Sequence, residues 1–141
     1  MRLILSNYDE TTGISYCEVQ HKGKIYSGVS RLHPEDKEIA SKYTGCRYAE
    51  IKAEIKALKA EYNEAKASCE ECRKFVKACS QYSNFDKESP TAKVMYRQLN
   101  RRIKKVNQLA DKINQRIMDL DIAIKQKDIV HKALERKAKN H

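Results

Sequence analysis

The sequence predicts an α+β fold that is mainly α: a small N-terminal three-stranded antiparallel sheet followed by a long antiparallel two-helix coiled coil. Three observations predict it. Ten positions alternate three and four apart: Tyr48, Ile51, Ile55, Leu58, Tyr62, Ala65, Cys69, Cys72, Val76 and Cys79. A second series keeps the same spacing through Leu99, Ile103, Val106, Ala110, Ile113, Ile117, Leu120 and Ile124. Apolar residues at this average spacing of 3.5 line one stripe of a helix that faces a partner. Before both lie three short runs rich in Ile, Val, Leu and Tyr, separated by turn residues.

Residues 2–8, 14–20 and 24–30 are the expected strands. Asp9 to Gly13 and His21-Lys22-Gly23 are the expected turns, with the glycines free to take positive φ. Three strands alone are marginal, so one face must pack on the helices or on another subunit. Pro34, followed by Glu35 and Asp36, marks the start of a short helix. Gly45 is expected to break or bend the chain before the long stripe, with Thr44 as the N-cap of the first long helix. That helix is predicted over about 45–81 and the second over about 90–138. Ser89 caps the second and Pro90 takes its first position. Its stripe weakens after Ile124, where Lys127 and His131 occupy seam positions. The organisation is thus a sheet and junction over 1–44 and a helical hairpin over 45–141.

The 141 residues are 40% hydrophobic and 34% charged, a balance suited to long exposed helices. Burial in such a chain is limited, which predicts a homo-oligomer joined through the helical seam. The net charge is +10. Residues 1–44 carry six basic and six acidic side chains, residues 45–82 eight and six, and residues 83–141 fifteen and seven. The excess falls on the second helix, densest at Arg97, Arg101, Arg102, Lys104, Lys105, Lys112 and Arg116. Such a helix either attracts nucleic acid, nucleotides, anionic lipid or an acidic protein face, or is simply a solvated face. No apolar run reaches the ~20 residues of a membrane span, and the opening residues are too short for a signal-peptide core. Five cysteines without a secreted-domain pattern predict a reducing, cytoplasmic setting.

Three groups of residues bear on chemistry. Cys69-Glu-Glu-Cys72 with Cys79 puts three thiols on one helical face, but a structural zinc site needs a fourth ligand and none is visible. On the apolar stripe these thiols read as small core fillers. The junction gathers Arg31, His33, Asp36, Tyr43, Thr44, Arg47, Tyr48 and Glu50 within twenty residues. Free amides at a helix start favour an anion. The two guanidinium groups match phosphate, a tyrosine ring can stack on a base, and the carboxylates can read ribose hydroxyls. The alternative there is a hinge held by Arg–Glu pairs. On the second helix, Arg97, Arg101 and Lys105 stand four apart, with Lys112 beyond, as a basic surface able to track a phosphate backbone. Tyr96 is the one aromatic among them, so stacking on single strands has little support. No nucleophile–base arrangement or glycine-rich phosphate loop stands out, and no cofactor or metal is implied. A non-enzymatic protein is expected.

The stretch Gly28-Val-Ser-Arg31-Leu-His33-Pro34-Glu-Asp36, followed by Gly45-Cys-Arg47-Tyr48-Ala-Glu50 and a lysine-rich helical pair, resembles a group of small phage and prophage proteins. The resemblance covers the sheet and the start of the first long helix, and is compositional beyond it. The plan of a small sheet joined to two long helices is also similar to the phage anti-Thoeris and anti-CBASS proteins. That likeness implies a homo-oligomer that sequesters a phosphate-bearing immune signalling nucleotide, of cyclic nucleotide or cyclic ADP-ribose type, in an infected bacterial cell. The rival expectation is a nucleic-acid- or protein-binding inhibitor of host defence acting through the basic helix, and a third is a structural coiled-coil spacer.

Overall fold

Alternation of apolar and polar side chains, punctuated by turn chemistry, builds the N-terminal sheet. The structure is a computed structural model, which describes residues 1–31 and 42–139. Strands β1 (Arg2–Asp9), β2 (Ile14–His21) and β3 (Lys24–Arg31) form an antiparallel meander in the order β1-β2-β3. Asp9 shapes the first turn: its carboxylate accepts from Thr11 N at 2.9 Å and its carbonyl from Gly13 N at 2.8 Å. The second turn is the two-residue connection Lys22-Gly23, both at positive φ (52° and 79°), as a tight hairpin turn requires.

Helices α1 (Lys42–Ser80) and α2 (Pro90–Lys139) follow. Ser89 caps α2 as expected, its Oγ accepting from Ala92 N at 3.2 Å and its carbonyl from Lys93 N at 3.0 Å. The start of α1 departs from expectation. The helix begins before Thr44, so Thr44 lies in its first turn and is not the N-cap, and Gly45 continues the helix without a break. Gly45 is there for space, since a Cβ on it would run into the Ser15 side chain of β2. The short helix expected at Pro34 lies outside the described residues, as do His33, Asp36 and the side chains of Tyr43, Lys127 and His131.

The chain forms two compact units that cut across both helices, Met1–Ala57 with Ile113–His141 and Leu58–Lys112. In the first, Ser15, Cys17 and Val19 of β2 are buried against α1. Val19 packs with Ala53 and Ala57, and Tyr26 closes over them. Contact between sheet and helix is close enough that a Cβ on Gly28 would collide with the Ala49 carbonyl and stand 2.7 Å from Ala53 N. The second unit holds the helix ends around residues 81–89. Cys69, Cys72 and Val76 of α1 and Ala92 and Leu109 of α2 are buried there, and Arg102 Nη1 donates to the Ser68 carbonyl at 3.0 Å.

The stripe on α1 is largely the expected one, with Tyr48, Ile51, Leu58, Cys69, Cys72 and Val76 buried. On α2 the buried line shifts. Ile113 is buried, but Leu109 is more enclosed than its neighbour Ala110, and Ile117 and Ile124 remain 39% and 42% exposed. Arg116 and Ala123 face α1 in their place. Arg116 Nε stands 3.0 Å from Glu54 Oε2, and the Tyr48 hydroxyl donates to the Ala123 carbonyl at 2.9 Å.

Candidate functional site

The most coherent chemical surface among the described residues is on the first half of α2. Residues 90–112 carry seven basic side chains and one acidic, Asp111. Spacings of three and four place Lys93, Tyr96, Arg97, Asn100, Arg101 and Lys104 on one helical face, where they line an open groove of about 480 Å³. The positions extend over twelve residues, eleven rises of 1.5 Å or roughly 16 Å of helix axis. Lys93 makes a loose exposed pair with Glu88 at 3.6 Å. Among the described residues no carboxylate lies within ion-pair distance of Arg97, Arg101 or Lys104. Three arginines elsewhere are engaged: Arg47 with Glu50, Arg73 with Glu70, and Arg116 with Glu54 and Asp119.

This groove includes Arg97 and Arg101 of the expected basic surface. Lys105 and Lys112 are exposed but do not line it. Lys93, Tyr96, Asn100 and Lys104 complete it. Their signal in the sequence was the spacing 93, 96, 97, 100, 101, 104, which contains one aromatic and one amide among four cations. Chemically the face offers guanidinium forks for phosphate oxygens, ammonium groups, one amide and one partly exposed ring.

At the junction, the structure gives several expected residues intramolecular work. Arg47 Nη1 is 3.5 Å from Glu50 Oε2 within α1. Tyr48 is buried at 7% exposure with its hydroxyl on Ala123, so its ring is core and not a stacking platform. Thr44 is half-buried inside the helix. Arg31 ends β3 and is exposed.

The buried pair Glu54–Arg116 is the other charged feature of the first unit. Burial pushes the Glu54 carboxyl above its usual range, and the Arg116 guanidinium opposes that rise. Burial likewise raises the Cys17 thiol, which lies 3.2 Å from the Cys46 carbonyl and 3.4 Å from Ser6 Oγ. All five cysteines are free thiols. Among the described residues no three His, Cys, Asp or Glu side chains gather as a metal site, and no helix is long and apolar enough to cross a membrane.

Comparison with protein-family models, curated proteins and solved structures finds no match to this chain.

Proposed function

We propose that this chain is a non-enzymatic binding protein for a phosphate-bearing polyanion, with nucleic acid held along the basic face of α2. The observation that carries the reading is the groove lined by Lys93, Arg97, Arg101 and Lys104, three of whose four cations have no carboxylate partner among the described residues. Intramolecular pairing would neutralise a merely solvated face at little cost, and α1 over 58–80 balances its charges, with five basic and four acidic residues and the ion pair Arg73–Glu70. A DNA strand presents one phosphate per 3.4 Å of axis, so 16 Å of helix faces about five phosphates. Phosphate contacts carry affinity without sequence choice.

Anisotropy with labelled duplex and single-stranded oligonucleotides over a salt series tests it. About four phosphate contacts give a log–log slope near −3 to −4, and Arg97→Ala or Arg101→Ala should each reduce it by about one. Binding that ignores salt, or that survives both substitutions, refutes the reading.

Sequestration of a signalling nucleotide at the junction is the second reading, and exposed Arg31, outside any ion pair among the described residues, favours it. Calorimetry with cyclic oligonucleotides and cyclic ADP-ribose variants separates the two. Loss of binding in Arg31→Ala and Arg47→Ala, with Arg101→Ala unaffected, selects sequestration.

A further inference from the structure

The two edges of the sheet are treated differently. At β3 the backbone already has an outside partner, because Lys52 Nζ donates to the Val29 carbonyl at 3.2 Å, and Lys24 and Arg31 sit at the strand ends. Lysine at an edge is a common protection against pairing with another chain. At β1 no such contact exists among the described residues, and seven of its eight residues are exposed. These include the run Leu3-Ile4-Leu5 at 45%, 38% and 45% exposure. An exposed apolar edge with free backbone groups is a template for strand addition.

The charge order along β1 decides which strand fits. It is basic at its start (Arg2), apolar and neutral through the middle, and acidic at its end (Asp9, followed by Glu10). Laid antiparallel against a copy of itself, the strand brings each basic end against an acidic one. We infer that β1 is a homodimer interface, where two copies of this chain pair antiparallel about a two-fold axis to make one six-stranded sheet.

The bulge in β1 supplies a register. Pairing with β2 skips Ile4, so Leu3, Ser6 and Tyr8 share the helix-covered face while Arg2, Leu5, Asn7 and Asp9 share the other. Residues directly opposite in an antiparallel pair point to the same face. With Ser6 on the axis and Ile4 again skipped, Leu5 faces the partner's Asn7, Leu3 the partner's Tyr8 and Arg2 the partner's Asp9. Every pair then matches in face, and the end pairs match in charge. Without the bulge the two ends and the centre could not match together. The interface is isologous, as two-fold symmetry demands.

Sedimentation of the full chain at 0.15 M salt across a wide concentration range, together with disulfide trapping, tests the inference. The expected result is a dimer that Leu5→Lys, present twice across the axis, weakens by about tenfold or more while circular dichroism stays unchanged. Mixing Leu5→Cys chains with Asn7→Cys chains should give a crosslink between residues 5 and 7, identified in the peptide masses and far stronger than either variant gives alone. A monomer at every concentration overturns the inference. So does a dimer that Leu5→Lys leaves intact and in which residues 5 and 7 do not crosslink, because association then uses another surface. If Leu5→Lys fails to fold, the mixed-cysteine crosslink still decides the outcome.

Discussion

Replacing Gly28 by alanine tests how closely β3 approaches α1. Its φ is not in the left-handed region, so alanine fits the backbone and restricts the unfolded chain, a gain of about 0.4–1 kcal/mol. Against this, the new methyl meets main chain on the other side: the Ala49 carbonyl, Ala49 C at 3.0 Å and Ala53 N at 2.7 Å. Main chain of a helix cannot swing aside as a side-chain tip can, so strand and helix must separate by more than about an ångström to reach ordinary contact near 3.5 Å. Separation loosens Val19, Ala53 and Ala57, all at or below 1% exposure. Overpacking of side chains costs about 1–3 kcal/mol, and a main-chain collision belongs at or above the top of that range, so the net loss is about 3 kcal/mol. At this chain length that lowers the melting temperature by roughly 10 °C. Scanning calorimetry on wild type and Gly28→Ala measures it. Gly23→Ala is the control, because nothing lies within 4 Å of its Cβ and only its positive φ is penalised, at about 1 kcal/mol. A Gly28→Ala protein that melts within 2 °C of wild type (about 0.5 kcal/mol) would refute the close packing of strand on helix.

Three further outcomes follow from particular contacts. Because the Glu54 carboxyl titrates above its ordinary 4.5 when folded, the folded state holds its proton longer, and stability falls as pH rises from that value through the folded one. Arg116→Ala should therefore cost about 1–3 kcal/mol at pH 7, discounted for the partial exposure of Arg116, and much less at pH 4.5; melts showing the same loss at both pH values would contradict this, and Glu54→Gln should flatten the dependence. Ser89→Ala removes the acceptor for Ala92 N and should cost about 1 kcal/mol in denaturant titrations. Native thiol labelling should modify half-buried Cys46 and Cys79 first, with Cys17, Cys69 and Cys72 reacting only at the rate of opening, and a fast Cys17 would contradict its burial and raised thiol.

Much of this protein is written locally. Each strand was legible from alternation and its turns, and each runs one residue past its expected end. The second helix announced its start through Ser89-Pro90, because a cap is a matter of a few consecutive residues. Stripes at heptad spacing identified two long helices and most of the buried side chains of α1. The basic face of α2 was legible too, since helical spacing alone groups its side chains.

Tertiary structure decided what those patterns met. Ala49, Ala53 and Ala57, four apart and off the expected stripe, became a second buried face of α1 because the sheet lies on it through Gly28 and Gly45. In the sequence the same alanines are good helix formers and the same glycines are breakers. Only a neighbouring surface turns them into a small-residue contact. Tyr48 was open to use as a stacking ring until the Ala123 carbonyl took its hydroxyl, from a residue 75 positions away. Arg116 entered the seam, and Ile117 and Ile124 turned partly out of it, because only the partner's surface decides where the buried line falls. Local sequence sets the geometry within an element. Which face is buried, and which charge is neutralised, depends on residues distant in the chain.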